Sequence, residues 1–85
     1  MVPQIELFHL VVRIPKEHSS FLYFQLEASE GLSFYSTIDF TEGEAYRVID
    51  LKGDMKLKNE VITLLKGLEE KTFLEILSDE RILDQ

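Results

Sequence analysis

The segment IELFHLVVRI, residues 5–14, is apolar along one face from Phe8 onward if it forms a strand. Successive side chains of a strand point to opposite sides of the sheet. The apolar face consists of Phe8, Leu10, Val12 and Ile14, and the opposite, mixed face consists of Leu7, His9, Val11 and Arg13. Apolar residues on both faces are typical of a central strand, so we expect this segment to lie inside a sheet with its even-numbered side against helices.

The predicted secondary structure consists of two successive strand–helix–strand units, and this strand begins the first of them. The predicted order is a strand over 5–14, a helix through Ala28 closed by Gly31, a strand over 32–40, a turn at 41–44, a strand over 45–51, a helix capped by Asp54, and a short edge strand over 72–77. A strand–helix–strand unit written twice is typical of the α+β class, and of the ferredoxin-like βαββαβ sandwich in particular. We therefore predict a four-stranded antiparallel sheet with two helices on one face.

Length predicts a single domain over residues 1–85, with a core at about 5–77. The tail 78–85 is polar apart from Ile82 and Leu83, and it is predicted to be a frayed helical turn.

The first helix is predicted to begin with Pro15 in its first turn or with Ser19 or Ser20 as its N-cap. Its apolar stripe is predicted to consist of Phe21, Phe24, Gln25 and Ala28, with Leu22 and Leu26 alongside. The second stripe is predicted to consist of Leu57, Val61, Leu64, Leu65 and Leu68, with Gly67 packed closely against the sheet.

Composition narrows the classes of function. The chain carries sixteen carboxylates against nine Lys or Arg residues, a net charge of −7. A nucleic-acid or anionic-lipid partner is therefore disfavoured, since such partners need a basic patch. The absence of cysteine excludes disulfides and thiolate metal sites. No segment resembles a secretion signal or approaches the roughly 20 apolar residues of a membrane span, so we expect a cytoplasmic protein.

Two helices on one face leave the other face of the sheet uncovered. That face is predicted to carry Leu7, His9, Val11, Tyr35 and Thr37, with Phe73 as a further candidate. An apolar surface of this kind is typical of an interface. A second copy of the chain, the C-terminal tail or a ligand could cover it. Self-association as a dimer, in which both copies use the same surface, is the commonest of these for so small a domain, and we expect it here.

The residues that could bind a small ligand are Arg13, His18, Glu27 and Glu30. Carboxylates at 27 and 30 oppose the dipole of the first helix, so they form either a small acidic site or a solvated helix end. His18 could join Asp39 and Glu42 around a divalent ion, but a surface histidine fits better because no metal motif links the three. No serine lies beside a histidine or in a glycine-framed elbow, and no glycine-rich phosphate loop is present. We predict no catalytic residue, no metal site and no cofactor.

Three stretches carry a resemblance to a known family: Arg13-Ile14-Pro15, the segment from Phe21 to Leu32, and Thr37-Ile38-Asp39. The chain resembles a small bacterial domain family of unknown function, whose members look like minimal, stand-alone ACT-type domains. The likeness covers about residues 7–77, and its most specific part is Leu-Glu-Ala-x-Glu-Gly-Leu over 26–32. It implies binding of amino acids or other small effectors and pairing of copies through their sheets.

One loop departs from the family pattern. ACT-type ligand sites usually have a glycine between the first strand and the first helix, where backbone amides approach the ligand. Here the loop runs from Arg13 to His18 without glycine, and Pro15 removes one amide. This departure argues against amino-acid binding by the usual route.

Two functions from different classes are compatible with these features. The first is a non-enzymatic ACT-like regulatory or interaction module that self-associates and binds a small molecule or a protein partner. The second is a small dimeric α/β-barrel enzyme, in which two sheets enclose a pocket that contains His9, Arg13 and Tyr35. A closed cavity around His9 would favour the enzyme, whereas a filled interface would favour the module.

Overall fold

A computed structural model of the chain describes residues 5–29, 31, 33–39 and 45–84. Its elements are β1 Ile5–Pro15, a 3₁₀ turn Lys16–His18, α1 Ser19–Ala28, β2 Phe34–Asp39, β3 Tyr46–Asp54, a 3₁₀ turn Met55–Leu57, α2 Lys58–Glu69 and β4 Glu75–Asp84. The strands form one antiparallel sheet in the order β2-β3-β1-β4. The predicted α+β class and βαββαβ arrangement are confirmed. The predicted turn at 41–44 lies outside the described residues.

The central position predicted for β1 is confirmed. β1 pairs with β3 over Leu7–Pro15 and with β4 over Ile5–Arg13, so both of its edges are occupied. Its even-numbered side chains from Phe8 to Ile14 are fully buried and form one core with residues of both helices, namely Leu22, Leu26, Val61, Leu65 and Leu68. Both helices therefore cover the same face of the sheet, and the apolar face read from the sequence is the one they cover.

The apolar stripe predicted for α1 is confirmed at Leu22 and Leu26 and wrong at Phe21 and Phe24. The buried positions are Ser19, Leu22 and Leu26, whereas Phe21 and Phe24 are 52% and 70% exposed. Apolar residues surround most of this helix, so periodicity alone does not select the side that faces the sheet. Ser19 is the first residue of α1 rather than its N-cap, and its hydroxyl donates to the Lys16 carbonyl at 2.8 Å.

The predictions for α2 are confirmed in its core and wrong at its glycine. Val61, Leu65 and Leu68 are buried at helical spacing. The Asp54 side chain caps the 3₁₀ turn that leads into the helix, because it accepts a hydrogen bond from the Lys56 backbone N–H at 3.0 Å. Gly67 has open space where a Cβ would lie, so close packing against the sheet does not explain it.

The tail predicted to be a helical turn is instead most of an edge strand. β4 runs from Glu75 to Asp84 and pairs with β1, with a register shift between Val11 and Val12. The backbone of β1 carries N–H and C=O groups on this side that need partners, and the tail supplies them. Charged side chains are common on edge strands, and here they hide the strand from a hydropathy pattern.

Neither described helix is long and apolar enough to cross a membrane, since α1 and α2 have ten and twelve residues.

Candidate functional site on the open face of the sheet

The pairing of β2 with β3 decides which of its residues face away from the helices. Tyr35 lies opposite Leu51 and Thr37 opposite Ile49, both of which are buried on the helix side. The prediction that Tyr35 and Thr37 lie on the uncovered face is therefore wrong. β2 carries an aromatic residue in either phase, Phe34 or Tyr35, so alternation alone cannot choose between its two faces.

Hydrogen bonds stabilise the observed orientation of β2, in which Tyr35 and Thr37 face the helices. The Tyr35 hydroxyl donates to Glu27 Oε1 at 2.6 Å, and the Tyr23 and Thr37 hydroxyl oxygens lie 2.8 Å apart. The Tyr23 and Tyr35 rings are in contact, with centroids 5.1 Å apart. The hydrogen bond to Glu27, together with partial burial and the nearby negative charge, raises the pKa of the Tyr35 hydroxyl. Glu27, predicted to bind a ligand, thus binds a tyrosine of its own chain.

We call the side of the sheet away from the helices the open face. Its residues are Ile5, Leu7, His9, Val11 and Arg13 from β1, Phe34 and Ser36 from β2, Tyr46, Val48, Asp50, Lys52 and Asp54 from β3, and Glu75, Ser78, Glu80 and Ile82 from β4. The predicted positions of Leu7, His9 and Val11 on this face are confirmed. No described helix covers it.

A polar network crosses the middle of the open face. His9 Nε2 donates to Asp50 Oδ2 at 3.2 Å, and the Ser36 hydroxyl donates to the other carboxylate oxygen of Asp50. The His9 and Asp50 side chains are 21% and 19% exposed. Burial raises the pKa of Asp50, but the hydrogen bonds from Ser36 and His9 and the positive charges of His9 and Lys52 outweigh burial, so the pKa of Asp50 is lowered.

The order of these groups determines what they can do chemically. Asp50 lies between Ser36 and His9, and both donate to it. In a nucleophilic serine site the histidine must accept the serine proton, so it has to lie between the serine and the acid. The observed order holds a carboxylate in its charged form. It does not place a base on the Ser36 hydroxyl.

We expect Asp50→Asn to reduce the dependence of the free energy of unfolding on pH between about pH 2 and pH 7. Because the pKa of Asp50 is lowered in the folded state, its contribution is present above the unfolded pKa of about 4 and is lost as pH falls through the folded value. The variant should be less stable than the wild type by about 1 kcal/mol at neutral pH and nearly equal to it near pH 2. Urea denaturation between these limits measures the difference.

Glu69→Gln is the control for this prediction, because it neutralises an exposed carboxylate at the end of α2, away from the open face. No side-chain hydrogen bond or ion pair joins Glu69 to another described residue. A pH-independent difference between Asp50→Asn and the wild type would contradict the role assigned to Asp50.

A second cluster occupies the end of the open face around Arg13. Its Nη2 donates to Glu75 Oε1 at 2.8 Å, and its guanidinium carbon lies 4.8 Å from the Tyr46 ring centroid and 5.7 Å from that of Phe73. Phe73 contacts Tyr46 edge to face, which places it at this end of the face as predicted. A carboxylate and two rings thus engage the Arg13 side chain, while its buried Nε has no hydrogen-bond partner among the described residues.

Three of the four predicted ligand-binding residues are described, Arg13, His18 and Glu27, and no direct contact joins them. His18 Nδ1 lies 2.5 Å from the Thr72 hydroxyl, and its ring stacks on Phe21 with centroids 5.6 Å apart. Glu27 lies nine residues further along the chain, about 13 Å away at the rise of a helix. Glu30 and Glu42 lie outside the described residues. Ligand binding by this set stays a prediction.

Two clefts in the described part of the chain are lined by other residues. A cleft of about 440 Å³ lies between Ile5, Glu6 and the turn at 54–56, at the opposite end of β1 from Arg13. A smaller one of about 150 Å³ lies on the open face beside Ser36, Asp50 and Lys52. Ligand pockets usually measure about 300–1,000 Å³, so the smaller cleft is below that range. No three His, Asp or Glu side chains among the described residues are grouped so as to hold a metal ion.

Sequence reasoning missed several polar residues of the open face, among them Ser36, Asp50, Lys52 and Glu80. Asp50 carried a signal, because it is the only charged position between Arg47 and Lys52 and it lies between two apolar residues. A carboxylate that interrupts a buried strand in this way indicates a hydrogen-bonded site. Glu80 carried none, since its strand was not recognised.

The fold and this face define a small α+β domain with one sheet surface free of helices. We compared the chain with protein-family models, with curated proteins and with solved structures, and no match was found in any of the three.

Proposed function

We propose that the chain is a non-enzymatic, ACT-like regulatory or interaction module that self-associates as a dimer through its open face. The observation that carries the proposal is that the open face presents Leu7, Val11, Val48 and Ile82 with no described helix over them. Covering such a surface removes apolar area from water, and a second copy of the same chain is the commonest partner. A small molecule or another protein that binds the assembled module belongs to the same proposal.

The charge of the face supports association of like chains. The chain as a whole is strongly acidic, but this face combines Arg13 and Lys52 with Asp50, Asp54, Glu75 and Glu80. Arg13 is paired with Glu75, and Asp50 and Asp54 accept hydrogen bonds from their own chain. Two copies can therefore approach along this face with less repulsion than their net charge alone would give.

The size of the face is sufficient for a small dimer. With strands about 4.8 Å apart and about 3.3 Å per residue, four strands eight residues long cover roughly 500 Å² in projection. Stable interfaces bury about 800 Å² of accessible surface per partner, and the relief of side chains makes accessible area larger than projected area. The face is therefore near the lower limit of stable interfaces, and we expect a dimer at tens of micromolar chain.

The alternative function, a dimeric α/β-barrel enzyme, loses one of its three proposed pocket residues. Tyr35 lies on the helix side, and the remaining two are engaged within the chain, His9 with Asp50 and Arg13 with Glu75. A proton-transfer role for His9 would require a substrate to displace one of these contacts.

We expect Val11→Lys to convert the dimer to a monomer. Val11 lies in the middle of the open face on the central strand, so in the dimer a lysine there would be buried without a partner. The dissociation constant should rise by about 100-fold or more. Sedimentation equilibrium or light scattering over a concentration series measures the change, with circular dichroism to verify the fold.

Ile76→Lys is the matched control, because Ile76 is a β-branched strand residue on the helix side that is already 38% exposed. It introduces the same charge without entering the open face and should leave the dissociation constant unchanged. A wild-type chain that stays monomeric at tens of micromolar overturns the proposal. Equal weakening by both variants would place the contact elsewhere, at the β4 edge.

A further inference from the structure

One row of the open face carries opposite charges on its two flanks. Across the sheet, Phe34, Lys52, His9 and Glu80 lie side by side on β2, β3, β1 and β4. Lys52 and Glu80 are both exposed, and His9 on the central strand separates them. The row is therefore positive on the β3 side of β1 and negative on the β4 side.

The two charges do not pair within one chain. Their strands are two spacings apart, about 10 Å, and in the described part of the chain neither side chain forms an ion pair. Each points to the side from which a second copy would approach. A face-to-face dimer decides whether these charges meet opposite or like charges.

From this row we infer that the dimer axis runs parallel to β1, so that Lys52 of each copy lies against Glu80 of the other. A two-fold rotation about such an axis exchanges the β3 and β4 flanks, so both pairs form at once. The inference rests on the proposed function and adds to it the orientation of the two sheets. Aligned packing of two sheets is an ordinary arrangement, with strand directions within about 30° of each other.

The remaining residues of the face are compatible with this axis. Leu7 and Val11 meet their own counterparts on the axis, and Asp50 lies over Ser78. Arg13 also lies against its own counterpart, but each Arg13 is paired with Glu75 of the same chain, so the repulsion between the two arginines is reduced. The other in-plane axis, perpendicular to the strands and passing through the His9 row, would place Lys52 over Lys52 and Glu80 over Glu80. Like charges in contact disfavour that orientation.

Charge reversal tests the orientation directly. Lys52→Glu creates two Glu–Glu contacts in the dimer, and Glu80→Lys creates two Lys–Lys contacts. Each single variant is expected to raise the dissociation constant about tenfold or more. In an equimolar mixture the two variants should form a heterodimer close to the wild-type affinity, because each interface again has two opposite-charge contacts. Sedimentation of the separate variants and of their mixture, one of them carrying a fluorophore, measures all three constants.

The outcomes separate the orientation from the self-association itself. If the wild type dimerises and Val11→Lys abolishes the dimer, but the charge reversals have no effect or the mixture is not rescued, the orientation is wrong and the open-face dimer stands. If the wild type is monomeric, the proposed function fails with it. Raising the salt concentration should reduce the difference between the single variants and the wild type, since exposed charges are screened.

Discussion

Replacing Phe8 by alanine is expected to lower the free energy of unfolding by about 3–5 kcal/mol, a large part of the total. Phe8 has no exposed surface and lies in the middle of β1, opposite Gly53 on β3. Because Gly53 has no side chain to fill the space, the substitution leaves a large cavity in the core. Phe→Ala changes in cores cost about 3–5 kcal/mol, and a domain of this length is typically stable by about 5–10 kcal/mol. Urea denaturation followed by circular dichroism measures the loss.

Phe24→Ala is the matched control, because it makes the same chemical change at a side chain that is 70% exposed. Its cost should be within about 0.5 kcal/mol, as for most surface substitutions. This pair also tests the observed orientation of α1, since the stripe predicted from the sequence would place Phe24 in the core. Similar costs for the two variants would contradict the packing described above.

Ending the chain after Leu77 is expected to abolish cooperative unfolding. The deletion removes the residues of β4 that pair with β1 from Ile5 to Val11. β1 would then become an edge strand that is apolar on both faces and has unpaired backbone groups, which is the condition for aggregation. Loss of the urea transition and a rise in light scattering are the expected observations.

The control for the truncation is the double variant Glu80→Ala with Arg81→Ala, which removes charged side chains of the tail and keeps its backbone. Arg81 makes only a distant, exposed contact with Glu6, at 3.8 Å, so its loss should cost little. We expect stability within about 1 kcal/mol of the wild type. A truncated chain with the full-length transition would show that the segment 78–84 is not a structural part of the sheet.

Local pattern was sufficient for the fold class and for the central strand. In β1 both faces are apolar enough to require burial, and the even-numbered face is apolar at every position from Phe8 to Ile14, so both the position and the orientation of the strand follow from this segment. The stripe of α2 follows in the same way, because Val61, Leu65 and Leu68 recur at helical spacing beside polar neighbours.

Three other features depended on which elements pack together. α1 and β2 are apolar on more than one side, so only contact with their neighbours selects Leu22 and Tyr35 for the covered side. The strand in the tail depends on backbone hydrogen bonds to β1, which any sequence can form and which leave little trace in composition. The network of His9, Asp50 and Ser36 joins three strands that are distant along the chain. Residue patterns therefore determined which segments form the core, and tertiary contacts determined which surface remains uncovered and which charges it carries.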